Sequence, residues 1–109
     1  MSDVRAANRM RLVGLGPHSR RHAELLLWEF PLLVVSSAYR SPAKNKAVGG
    51  APNSFHVQRR AIDVVGSTYD LTRAAALAWE QRIGPGCTGP EEVLLEHLGT
   101  TRAHLHLAW

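Results

Sequence analysis

Residues 36–63 read SSAYRSPAKNKAVGGAPNSFHVQRRAID, and residues 104–109 close the chain with HLHLAW. The first stretch runs into AIDVV, residues 61–65, whose apolar and β-branched composition predicts a short buried strand. Asp63 lies inside that run, and a buried carboxylate is costly unless it is paired or bound to a metal. His56 precedes it by seven residues. On a strand, alternate side chains share a face, so His104 and His106 point the same way. Taken alone, alternate histidines are as well read as surface residues on an edge strand, and a lone loop histidine says less still. The buried aspartate tips the balance. Zinc accepts imidazole nitrogen and carboxylate oxygen, and a catalytic site keeps one position open. His56, Asp63 and His106 are the candidate ligands, leaving room for a water whose pKa an open zinc lowers to about 7. Metal-assisted hydrolysis is the chemistry this pattern predicts.

Outward from this stretch, residues 18–29, HSRRHAELLLWE, predict a helix with Ala23, Leu26 and Leu27 on its apolar face. Pro31 ends it, because proline lacks the N–H and clashes with the preceding turn. Residues 32–39, LLVVSSAY, predict a strand, and 41–55 a long loop containing Pro42, Gly49, Gly50 and Pro52. Loops of that length in compact domains are usually functional. Asp70 is the expected N-cap of a helix over 71–82, LTRAAALAWEQR, stopped by Gly84, Pro85 and Gly86. Residues 92–98 and 102–109, with Gly99 between them, predict a β-hairpin. The expected fold is α+β, a small antiparallel sheet flanked by helices. His18 and His22 have metal-like spacing, but arginines lie between them and no third partner is evident, so a solvated helix face is the reading.

A chain of 109 residues, 45% hydrophobic, is long enough for one core and is expected to form a single domain over 1–109. Lone Cys87, in GPGCTGP, can neither staple the fold nor build a thiolate metal site, and it suits synthesis in a reducing compartment. The net charge of +4 is scattered, with no run of five or six basic residues. Solubility explains it better than an anionic partner, and without a basic stripe or aromatic platform nucleic acid is not expected. The opening MSDVRAANRMRLVGLG lacks the apolar core of a secretory signal. The longest apolar stretch, ELLLWEFPLLVV, carries two glutamates and a proline, so no membrane insertion is expected. A monomer made in the cytoplasm without a signal peptide is the corresponding expectation.

Ser54-x-His56-x-x-Arg59-x-Ala61-x-Asp63 resembles the S-x-H-x-x-G-x-A-x-D signature of the D-Ala-D-Ala carboxypeptidase and L-alanyl-D-glutamate peptidase family. Tyr39-Arg40-Ser41-Pro42, Asn45 and the run Val48 to Ser54 resemble it too, and His104-Leu105-His106 resembles the H-x-H shared with lysostaphin-type peptidases and hedgehog domains. The resemblance implies a hedgehog-like fold, Zn²⁺ as cofactor, and His56, Asp63 and His106 as its ligands. It implies that His104 assists the reaction, by a hydrogen bond to the water or to the developing oxyanion. It gives Arg40 a substrate contact, since a guanidinium grips a carboxylate bidentately; a structural ion pair is the alternative. Ser54 would order the ligand loop beside the substrate. The implied activity is hydrolysis of peptide bonds in peptidoglycan stem peptides, as a carboxypeptidase or an endolysin-type endopeptidase. A phage or prophage product released by a separate pore would suit a signal-free chain.

Two departures stand out. The signature glycine is Arg59, so the backbone there is expected to adopt a conformation that a side chain permits. Many relatives carry an acid three residues before the last ligand, where this chain has Ala103. Glu96 is the substitute proton carrier: with His97 facing Arg102 it would lie opposite Ala103, although a slip of one residue sends it to the other face. Glu91 and Glu92 are secondary candidates. The missing acid leaves a second reading open, a catalytically inactive zinc-stabilised binding module for cell wall or a protein partner.

Overall fold

The computed structural model describes residues 2–83 and 89–109. Among them run α1 (Ser2–Leu12), α2 (Pro17–Glu29), β1 (Val34–Ser37), α3 (Pro42–Ala47), β2 (Ala61–Val65), α4 (Thr68–Ile83), β3 (Glu92–Glu96) and β4 (His104–Ala108). The strands form one sheet in the order β1-β2-β4-β3, every neighbouring pair antiparallel. The class is α+β, as expected. The HLHLA strand is therefore central, not an edge, and its two histidines cannot be bland rim residues.

Strand alternation divides the sheet into two faces. Ile62 pairs with Leu107 and Val64 with Leu105, and all four are fully buried in a core shared with Leu12, Leu33, Val35, Leu71 and Ala74. Asp63 pairs with His106 between them, so both project from the opposite face. The same period of two that fills the core thus carries the candidate ligands out of it. A bulge between Val35 and Ser37 of β1 sets Ser37 against Asp63, and such irregularities re-aim the following chain.

Several elements differ from expectation. The sequence pattern does not announce α1, because its residues mark no continuous apolar stripe. Its anchor is polar. Asn8, 4% exposed, donates from Nδ2 to the Leu33 carbonyl at 2.8 Å and accepts the Val35 N–H at 2.9 Å. One amide side chain thus acts as the missing neighbour of β1, covering an edge that would otherwise invite pairing. β1 is shorter than the 32–39 run, and Leu32 is exposed. The expected loop 41–55 contains α3, started by Pro42 and by Ser41 Oγ accepting the Lys44 N–H. The cap of α4 is Ser67, whose Oγ accepts the Asp70 N–H at 3.0 Å. Asp70 instead sits in the first turn, where its charge meets the positive end of the helix. Gly84, Pro85, Gly86 and Cys87 lie outside the described residues.

The hairpin register is the most consequential correction. Glu96 pairs with His104, not Ala103, because Val93 and Leu95 must meet Leu107 and Leu105 over the core. The turn absorbs the extra residue through left-handed backbone at His97 (φ 53) and Gly99 (φ 85). Glu92, Leu94 and Glu96 consequently share the face of His104 and His106. No helix among the described residues is long and apolar enough to cross a membrane.

Candidate metal centre

His56 reaches Asp63 from a tight turn. Ser54 Oγ accepts the His56 N–H at 3.2 Å, and the Ser54 carbonyl accepts the N–H groups of Val57 and Gln58. The imidazole is 3% exposed, and its Nδ1–H donates to the Ala38 carbonyl at 2.7 Å. That bond fixes the tautomer and leaves Nε2 facing Asp63 Oδ2 at 3.3 Å. From β4, His106 Nδ1 lies 2.9 Å from Asp63 Oδ1. One donor atom each from His56, Asp63 and His106 falls within 4.8 Å of the others, a group that could hold a metal ion. Two imidazole nitrogens and one carboxylate oxygen are the donor chemistry zinc takes at open sites, so the residues fit the ion.

Arg40 backs this group. Its Nη2 lies 3.5 Å from Asp63 Oδ2, its Nε donates to Ser37 Oγ at 3.2 Å, and its Nη1 donates to Asn45 Oδ1 at 3.1 Å. Asn45 is buried and donates in turn to the Ala51 carbonyl at 2.6 Å. Gly50 makes that packing possible, since a Cβ there would meet Asn45 Oδ1 at 2.1 Å. The charges respond to one another. Burial pushes the Asp63 carboxyl up, but hydrogen bonds from His106 and His56 and their Coulombic attraction outweigh it, leaving Asp63 well below the usual carboxylate range. Burial pulls His106 down, yet its bonds to Asp63 and Glu92 prevail and raise it above the ordinary histidine value. A metal at this site would displace a proton from His106, coupling uptake to pH.

A family model, peptidase M15, matches residues 4–106. The chain belongs to the M15 peptidases. No curated protein and no solved structure gives a significant match. M15 peptidases are metal-dependent and act on peptides, and among the described residues the His56–Asp63–His106 group could hold a metal ion.

Other expected site residues of this M15 peptidase lie close by but apart from the three-residue group. Glu96 Oε1 is 3.4 Å from His104 Nε2, while His104 Nδ1 donates to the Arg102 carbonyl at 3.0 Å. The two form a pair one step along β4 from His106. Glu92, read from sequence only as a secondary proton carrier, places Oε1 2.9 Å from His106 Nε2. Its signal was available in the 92, 94, 96 alternation, but only with the correct register. Glu91 turns away to Arg60. Of the two helix histidines read as a solvated face, His18 is exposed, while His22 is partly buried and stacks against Trp109 with ring centroids 6.0 Å apart. The backbone at Arg59 is also not what a side chain favours. It keeps a left-handed φ of 63, uncommon for a residue with a Cβ. The guanidinium sits 3.9 Å from the Tyr39 ring centroid and donates to the Gly14 carbonyl at 3.0 Å, contacts that offset the strain.

Proposed function

We propose that this M15 peptidase is a zinc hydrolase cleaving peptide bonds in the stem peptides of bacterial peptidoglycan. The observation that supports it is the convergence of His56 Nε2, an Asp63 oxygen and His106 Nδ1, with the other nitrogen of each imidazole already engaged by an outer acceptor. Bound there, zinc supplies a Lewis acid and a water acidified to near neutrality.

The chain's own groups then divide the remaining work. Glu96 is the candidate to take a proton from the attacking water and return it to the leaving amine, a step that contributes about 10²- to 10⁴-fold in enzymes. His104 exchanges protons with Glu96 at Nε2, since Nδ1 is committed to Arg102, and in its protonated form donates to the developing oxyanion. Arg40 donates to Ser37 and Asn45 and sets Nη2 3.5 Å from Asp63, and its remaining N–H groups are the candidates to orient a substrate carboxylate. Ser54 orders the turn that presents His56.

Digestion of peptidoglycan sacculi by the zinc-loaded protein, with fragments identified by mass spectrometry and His106→Ala run in parallel, tests the proposal. New free termini that vanish in the variant support it and identify the bond as D-Ala-D-Ala, L-Ala-D-Glu or a cross-link. An unchanged digest from protein holding one zinc per chain favours the second reading, a zinc-stabilised binding module. What favours that reading is Ala103 at the position of the usual acid and a Glu96 carboxylate that pairs with His104 instead of joining the ligand group.

A further inference from the structure

We infer that Glu92 is a positioning residue that accepts the Nε2–H of His106 and so turns the Nδ1 edge of the ring toward Asp63 and the metal site. This rests on the metal-centre reading above. The two ring nitrogens of His106 each lie 2.9 Å from a carboxylate oxygen, Nδ1 from Asp63 and Nε2 from Glu92. The nitrogens of an imidazole point away from one another, so a group on one marks the other as the ligand atom. Asp63 belongs to the three-residue group and Glu92 does not, which assigns Nδ1 to the metal and Nε2 to the outer bond.

The sheet explains how Glu92 gets there. It pairs with Ala108, which pairs in turn with Ala61, so two small side chains flank it along that row. Its carboxylate is free to lean diagonally onto His106, a separation that long side chains span across neighbouring strands. Glu91, the only other carboxylate adjacent in sequence, is held by Arg60. The centre then contains two differently tuned histidines. His56 donates outward to a neutral carbonyl, whereas His106 donates to a carboxylate, which raises the basicity of the ligating nitrogen. This contact separates Glu92 from Glu96: Glu92 acts through His106, on the side of the ring away from the ligand atoms, and is not in position to carry the water's proton.

The test is zinc(II) affinity by competition with a chromophoric chelator for the unsubstituted chain, Glu92→Leu and Glu92→Gln, with ¹⁵N-imidazole NMR of the zinc-loaded proteins. Loss of an outer partner of this kind weakens metal binding by about 10- to 100-fold, the drop expected for Glu92→Leu. Glu92→Gln keeps an oxygen acceptor and should recover most of it. In the unsubstituted protein His106 should show a slowly exchanging Nε2 proton and a metal-bound Nδ1, and that proton should exchange faster in Glu92→Leu. A purely structural contact would speed that exchange too but would leave zinc affinity unmoved. Melting of the metal-free proteins checks folding, and the half-exposed Glu92 side chain should tolerate replacement. Wild-type affinity in Glu92→Leu, or coordination of His106 through Nε2, would overturn the inference. Failure of the unsubstituted chain to take up zinc would refute the metal centre itself and the inference with it.

Discussion

Replacing Asn8 by alanine should destabilise the protein far more than its place in a polar N-terminal helix suggests. The Asn8 amide makes two bonds, to the Leu33 carbonyl and from the Val35 N–H, and Leu33 and Val35 are both fully buried. Alanine leaves a carbonyl and an N–H unpaired in a region from which water is excluded. Each orphaned buried group costs about 1–3 kcal/mol, so the loss should be about 2–6 kcal/mol. A domain of this size has a total stability of about 5–15 kcal/mol, so a central loss of about 4 kcal/mol removes a large share of it. Urea unfolding followed by circular dichroism should show a lower midpoint at unchanged slope, since the surface exposed on unfolding is the same. Asn8→Asp distinguishes the two bonds: it keeps the acceptor for Val35 but places a carboxylate oxygen against the Leu33 carbonyl, and should be no milder than alanine. A loss below about 1 kcal/mol for Asn8→Ala would show that water or a shift of α1 satisfies the edge, and the account of β1 as a strand completed by one side chain would fail.

Arg59→Gly should be more stable than Arg59→Ala by about 1 kcal/mol in the same unfolding assay, because both lose the Tyr39 and Gly14 contacts but only glycine relaxes at a φ of 63. Equal stabilities would mean the backbone readjusts. Without metal, the raised His106 pKa contributes stability that is present below about pH 6.5 and lost as pH rises through the higher folded value, while the depressed Asp63 pKa contributes stability present above about pH 4 and lost on acidification. The metal-free protein should therefore melt highest between those limits, and zinc affinity should climb as pH rises and His106 gives up its proton. Melting temperatures with and without zinc across this range check both signs. Glu96→Ala should lower turnover by about 10²- to 10⁴-fold with zinc content unchanged; retained turnover would send the search for the proton carrier elsewhere.

Much of the centre was legible in the linear chain because its information is local. AIDVV reads as a buried strand from its own composition, and β2 spans those five residues. The spacing of His56 and Asp63 and the alternation of His104 and His106 survive any arrangement of the remaining elements. The apolar face of α2 and the alanine-rich α4 were readable for the same reason. What the linear chain left open depends on contacts between residues distant along it. Whether Glu96 faces Ala103 or His104 turns on one residue of register, set by Leu95 and Val93 seeking Leu105 and Leu107 across the core. That same choice brings Glu92 to His106. α1 has too few apolar residues to announce itself, and its anchor is an amide meeting a strand edge 25 and 27 residues away. The left-handed backbone at Arg59 is likewise held by Tyr39 and Gly14 from other parts of the fold. Local side-chain pattern determined which residues could hold a metal. Only the packing of the sheet decided which carboxylate stands behind each histidine, because cross-strand partners are chosen by burial of the core and not by neighbours in the chain.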